Sequence, residues 1–305
     1  MASRRRFLEL AGLAGAALGV DRLRSSRGDE KPSAQDGTWL TYAVNVEMFW
    51  NNLPFLDRLR KVNESGFSHY EFWPWRNKDI DAIARLNQEL GLHPAQFSAS
   101  PKRFDQGITD PGRKDEFVDD ITKAVEVAKR LNVKKLCVVA GEETVGYSPE
   151  QQTRAVIDAL KAGARVVEPA DVTIILEPLN ILVDHPKQHV VHSAHAADVL
   201  RQVGSAHVKM LFDIYHQQIS EGNLTGNIRA YSDLIGYYQL ADHPGRHEPG
   251  TGEIAYDHIL QVVHDVGYQG AIGLELSPKY EPIAALNAVR RADQRAKNKA
   301  WAAGL

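Results

Sequence analysis

Four short apolar runs in the C-terminal half of the chain each end in a side chain that a hard metal ion accepts. They are TIILE ending at Glu177, KMLFD ending at Asp213, GYYQ ending at Gln239 and AIGLE ending at Glu275. The four residues lie 36, 26 and 36 positions apart, about one strand plus one helix each time. In a barrel of parallel strands, residues at successive strand ends converge on one rim, where such enzymes keep their chemistry. Three carboxylates and one amide at one point make an oxygen-rich site suited to Mg²⁺ or Mn²⁺. Any one of them alone reads as an ordinary strand-end polar residue. Four in register are harder to set aside.

The rest of the chain supports closure into a barrel. From Trp39 onward, strand-like and helix-like periods alternate. Strands are expected near Thr41 to Met48, His69 to Trp73, Pro94 to Ala99 and Lys135 to Ala140, followed by the four runs above. Between them, helices are expected at Leu53 to Glu64, Asp79 to Leu90, Arg113 to Leu131, Pro149 to Val167, Ala194 to Val203, Asn227 to Ser232 and Tyr256 to Val266. A last helix is expected from Pro282 to Ala296. Gly91 reads as a helix stop, and Ser148 before Pro149 as an N-cap. The strands are apolar throughout, as when helices cover one face and the barrel interior the other. A doubly wound open sheet is the competing architecture, but no G-x-G-x-x-G follows the first strand. The expectation is an α/β fold: a single (β/α)8 TIM barrel domain over residues 38–305.

Residues 1–37 differ in character. Ser3-Arg4-Arg5-Arg6-Phe7-Leu8 precedes an Ala/Gly-rich run from Leu8 to Val20, the pattern of a twin-arginine export signal. That run is too short for a stable membrane span. The expected location is therefore periplasmic, or membrane-tethered if the signal stays uncleaved. A net charge of −3 gives no basic footprint for nucleic acid. The single cysteine, Cys137, rules out an intrachain disulfide and reads as a core residue. The composition is compatible with a homo-oligomer.

Glu177 and Glu275 sit in apolar surroundings where a lone carboxylate is costly, and a shared cation removes that cost. With a metal polarising a substrate oxygen, the two carboxylates can move a proton off and onto adjacent carbons. A structural salt bridge is the alternative. His216, in the D-x-x-H formed with Asp213, suits a substrate oxygen or a proton relay. His185, His189, His192 and His195 are expected to be solvated. Arg246, in the glycine-rich ADHPGRHEPGTGEI segment, can clamp a carboxylate or a pair of sugar oxygens. Otherwise it pairs with Glu248 or Glu253. Glu71, with Trp73 and Trp75 of EFWPWR, is expected to line a small polar substrate pocket, or the aromatics simply pack at the barrel mouth.

The segments LEPLN, FDIYHQQISEGNL and QLADHPGRHEPGTGEI resemble the hydroxypyruvate isomerase family, within the xylose-isomerase-like barrels that also include sugar epimerases. That resemblance implies Glu177, Asp213, Gln239 and Glu275 as ligands of one Mg²⁺ or Mn²⁺. It makes Glu177 and Glu275 the acid–base pair, with His216 and Arg246 holding substrate. Ketose epimerases of the group usually carry histidine where this chain has Gln239. The activity expected is isomerisation of a small hydroxy-carbonyl compound, hydroxypyruvate to tartronate semialdehyde in type, through an enediolate. The rivals are a ketose 3-epimerase on the same site, a multi-zinc phosphodiesterase, and an exported sugar-binding barrel without turnover.

Overall fold

The computed structural model describes residues 37–99 and 107–302. The expected export segment falls almost wholly on residues 1–36, outside the described residues. Eight strands form a closed barrel in sequence order: β1 (Thr41–Asn45), β2 (His69–Phe72), β3 (His93–Ser98), β4 (Lys135–Val139), β5 (Thr173–Glu177), β6 (Val208–Asp213), β7 (Ile235–Gln239) and β8 (Ala271–Leu274). Every pairing is parallel, including the closing pair of β1 with β8. Around it lie α1 (Phe55–Glu64), α2 (Ile80–Leu90), α3 (Lys114–Leu131), α4 (Pro149–Val167), α5 (Ser193–Val203), α6 (Ile214–Ser220), α7 (Leu224–Ala230), α8 (Tyr256–Asp265) and α9 (Pro282–Ala302). No helix among the described residues is long and apolar enough to cross a membrane.

Local sequence signals place most of these boundaries. The Asp79 carboxylate accepts from Ala82 N to start α2, and Gly91 ends it in the left-handed conformation. Ser148 and Gln151 form a reciprocal capping box at α4, with Pro149 at its first position. One stretch departs from the expectation. In place of a single helix over Asn227 to Ser232, α6 springs directly from the end of β6 and α7 follows it. The cause is Asp213, whose side chain accepts from Tyr215 N at 2.8 Å and caps α6. A seven-residue helix is too short for periodicity to reveal it.

Two buried clusters divide the interior. The larger lies between the strands and the helices, whereas Ala43, Cys137, Ile175, Leu211, Tyr237 and Ala271 form a separate one. These six face the barrel interior. Because strand side chains alternate with period two, the next inward positions towards the C-termini of the same strands are Asn45, Val139, Glu177, Asp213, Gln239 and Gly273. The alternation that buries Leu and Ile below thus delivers carboxylates and amides above.

The barrel seam is tied by Asp293 of α9, a residue 1% exposed. Its carboxylate accepts from Trp39 N at 2.6 Å, Leu40 N at 3.0 Å and the Tyr42 hydroxyl at 2.9 Å. Those groups lead into β1, so one side chain fastens the first strand to the last helix. Asp293→Ala strands buried donors, each costing about 1–3 kcal/mol. We expect a loss of roughly 3 kcal/mol in urea unfolding; a loss below about 1 kcal/mol would remove Asp293 as the seam tie.

Candidate active site

Glu177, Asp213 and Gln239 are the last residues of β5, β6 and β7, and Glu275 follows β8 by one residue. All four are buried, at 7%, 0%, 1% and 5% exposure. Glu177, Asp213, His216 and Glu275 each offer a ligand atom, and those atoms all lie within 4.8 Å of one another. Asp213 divides its carboxylate: Oδ1 caps α6, while Oδ2 is buried with no hydrogen-bond partner. Gln239 is divided too, its Nε2 donating to Glu71 Oε1 at 2.9 Å and its Oε1 unpartnered. Buried acceptors left without donors are what a bound cation satisfies. The donor set, carboxylate and amide oxygens, fits a hard divalent ion.

Arg246 reaches the cluster from the loop after β7. Asp242 organises that loop by accepting from Gly250 N, Gly252 N and Ile254 N at 2.8 to 3.0 Å. Gly252 is obligatory, because a Cβ there would overlap the His243 carbonyl. Arg246 itself has a φ of 56°, a left-handed conformation uncommon for a side-chain-bearing residue. Its Nη2 lies 2.8 Å from Glu275 Oε2 and 3.5 Å from Asp213 Oδ2, and its guanidinium covers the Tyr215 ring. It does not pair with its loop neighbours: Glu248 accepts from Lys279 N and Glu253 from Gln218. Trp73 completes this side, its Nε1 donating to Glu275 Oε1 at 2.7 Å. Trp75 instead packs against the core.

His216 is oriented by Asn180, a residue the sequence did not single out. Asn180 Oδ1 accepts from Val183 N and Asp184 N, which identifies the oxygen end of its amide. The amino end therefore faces His216 Nδ1 at 2.7 Å and can only donate to it. Nδ1 is an acceptor, so the neutral ring carries its proton on Nε2. That N–H lies 3.6 Å from Asp213 Oδ2 and 3.9 Å from Glu177 Oε1. Arg246 Nη2 stands 3.3 Å from the same nitrogen, but two donors cannot bond each other. The shorter Nδ1 contact, fixed by two backbone amides, decides the tautomer. An Nε2 bearing hydrogen has no lone pair for a metal, so His216 faces the cluster as a donor.

Concentrated charge shapes the protonation of the site. Burial, then the charges of Glu275 and Asp213, raise the Glu177 carboxyl well above its ordinary range. Burial pushes Asp213 up to about 7 against the opposing pull of Arg246. His216 is driven well below its ordinary value by burial and then by Arg246 and His185. Cys137 is buried as expected, but its thiol also donates to Glu177 Oε2 at 3.4 Å. Sequence pattern carried no signal for that contact.

Glu71 is not where a substrate pocket would place it. Its side chain points into the lumen at 0% exposure, and its two oxygens accept from Asn45, Gln96, Tyr237 and Gln239. Burial and the Glu275 charge push it up to about 7. The histidines expected to be solvated also differ among themselves. His192 is exposed and His185 half-buried beside His216, whereas His189 is buried and shares the Thr153 hydroxyl with His195.

The profile of the xylose isomerase-like TIM barrel family matches residues 59–298. The chain belongs to that family. It is 34% identical over 246 residues to the hydroxypyruvate isomerase of Escherichia coli (strain K12), spanning 79% of this chain and 94% of that protein. That likeness places it in the hydroxypyruvate isomerase branch of the family. It is also 31% identical over 243 residues to a 2-oxo-tetronate isomerase of Cupriavidus necator, covering 78% of this chain and 93% of the relative. Among solved structures, one described as an AP endonuclease, family 2, from Brucella melitensis aligns with a TM-score of 0.77 at 30% identity, covering 81% and 96% of the two chains. An L-ribulose 3-epimerase aligns with a TM-score of 0.74 at 20% identity, over 87% and 98%, a likeness of fold.

The raised carboxyls predict an inverted pH dependence for protein stripped of divalent ions. A carboxyl with a raised folded-state pKa holds more protons folded than unfolded, so its contribution is present at low pH and lost as pH rises through the folded value. Glu71 and Asp213, each at about 7, set the window between about pH 5 and 8. With chelator, the melting temperature should fall across this window, and excess Mg²⁺ or Mn²⁺ should abolish the fall. A flat or rising profile with chelator would contradict the account.

Proposed function

We propose that this protein is a divalent-metal-dependent isomerase of a small α-hydroxy carbonyl compound, of the hydroxypyruvate to tartronate semialdehyde type. Isomerase activity fits its relatives, which include named hydroxypyruvate and 2-oxo-tetronate isomerases. The observation that carries the mechanism is the Glu177–Glu275 pair, buried at the ends of two strands with ligand atoms in one 4.8 Å cluster. Glu177 accepts only a weak hydrogen bond from a thiol among the described residues, so it is not locked as a structural ion pair.

Glu177, Asp213, Gln239 and Glu275 would hold one Mg²⁺ or Mn²⁺. When bound, that ion supplies Lewis acidity at the substrate carbonyl and the neighbouring hydroxyl oxygen. One glutamate takes the proton from the hydroxyl-bearing carbon, leaving an enediolate. The other returns a proton to the former carbonyl carbon while the hydroxyl proton passes to the former carbonyl oxygen, so that hydroxyl and carbonyl trade places; the glutamates' roles exchange in the reverse direction. His216 donates Nε2–H to a substrate oxygen, an orientation that Asn180 enforces. Arg246 supplies a guanidinium for the substrate carboxylate or an oxygen pair. Trp73 holds Glu275 in place and, being 36% exposed, forms part of the mouth.

We further propose that residues 1–37 direct export by a twin-arginine route, which cell fractionation of the full chain with Arg5→Lys and Arg6→Lys controls would test.

Glu177→Gln and Glu275→Gln should each lower turnover about 10²–10⁴-fold while the fold is retained. In D₂O, the wild type should incorporate deuterium at the carbon that gains the proton, read by NMR on hydroxypyruvate and common ketoses. Unimpaired turnover in either variant would refute the acid–base pair. A C3-epimeric ketose as product would replace isomerisation by epimerisation, and tight calorimetric binding without product would mark a binding protein.

A further inference from the structure

We propose that Glu71 is a positioning residue that sets the amide polarity of Gln239, turning its carbonyl oxygen towards the cation site and its amino group away. This rests on the reading of Gln239 as a metal ligand. An ionised carboxylate only accepts hydrogen bonds, so an amide facing it must present its amino end. Gln239 Nε2 lies 2.9 Å from Glu71 Oε1, and its Oε1 is left buried without a partner. Gln96 is arranged likewise, its Nε2 on Glu71 Oε2 at 3.1 Å and its Oε1 unpartnered.

The other donors hold Glu71 in its acceptor role. Asn45 Oδ1 accepts from Glu47 N, so its Nδ2 is the end that reaches Glu71 Oε1 at 3.0 Å. The Tyr237 hydroxyl donates to Oε2 at 2.8 Å. Two oxygens with four donors leave no acceptor free for a substrate. Strand β8, next to β7, is shaped to this carboxylate: a Cβ on Gly273 would overlap Glu71 Oε2 and approach Gln239 Cγ to 2.7 Å. Glu71 therefore acts through Gln239 rather than on substrate.

The test is Mn²⁺ affinity of the full chain, read by the loss of the free-ion electron paramagnetic resonance signal, independent of turnover. Glu71→Gln can present either amide end to Gln239 and should weaken Mn²⁺ binding about 10–100-fold, the usual effect of losing a ligand's supporting partner. The charge-swapped pair, Glu71→Gln with Gln239→Glu, should regain wild-type affinity or better, because a carboxylate at 239 offers an oxygen to the ion in either orientation. If Glu71→Gln matches the wild type while Gln239→Ala is weakened, the positioning role falls and the ligand reading stands. If Gln239→Ala itself matches the wild type, the ligand reading falls and takes the proposal with it. Should Glu71→Gln fail to fold, the swapped pair decides: weaker binding than the wild type overturns the proposal.

Discussion

The like-charge crowding at one end of the barrel lumen governs the rest of this structure. Glu177, Asp213 and Glu275 bring ligand atoms within 4.8 Å of one another in a buried place, with Glu71 close behind. At an effective dielectric of about 20, each pair of full charges at that distance repels by about 3–4 kcal/mol. One guanidinium, Arg246, contacts two of the three. It cannot cancel three mutual repulsions and the desolvation as well, which is why Glu177 and Asp213 hold their protons so far up the scale. Ion pairing with Arg246 leaves Asp213 Oδ2 without a hydrogen bond and Gln239 Oε1 unpartnered, and acceptors in that state suit a bound cation.

Several ordinary local devices hold this arrangement in place. Strand alternation carries the inward layer from Leu211 and Tyr237 to Asp213 and Gln239 with no special geometry. Asp213 ends a strand, caps the next helix with one oxygen and leaves the other for the site. Asp242 gathers three loop amides, and the loop so formed places Arg246 over Glu275. Asn180 uses two backbone amides to determine its own orientation and, through it, the tautomer of His216. In each case a backbone group of known polarity fixes a side chain whose polarity then fixes a third.

This chain of dependence explains what could be read from the sequence. The barrel was legible because eight short apolar runs alternating with helical periods are a one-dimensional signal. Glu177, Asp213, Gln239 and Glu275 were legible because strand ends share a rim whatever the detailed packing. Asn180 and Cys137 were not, because their contacts join the loop after β5 to α6 and β4 to β5 across distances that no pattern encodes. Glu71 was misplaced for a related reason. Its place near a strand end puts it beside Gln239, but whether such a residue faces substrate or the lumen depends on its cross-barrel donors. The helix α6 escaped notice because it is capped by a residue already assigned to a strand.

The amide at position 239 fits the charge arithmetic. With all three ionised, Glu177, Asp213 and Glu275 contribute three negative charges; under the proposed function a divalent ion and Arg246 together would contribute three positive ones, leaving the set neutral. Glu71 remains outside that sum, its charge met by four hydrogen bonds. A fourth carboxylate at 239 would leave the site negative and oppose the carboxylate of a substrate such as hydroxypyruvate. A glutamine supplies the same oxygen without the charge, provided something keeps that oxygen turned the right way. On the proposed reading, the neutral ligand and the buried carboxylate behind it would be two halves of one solution.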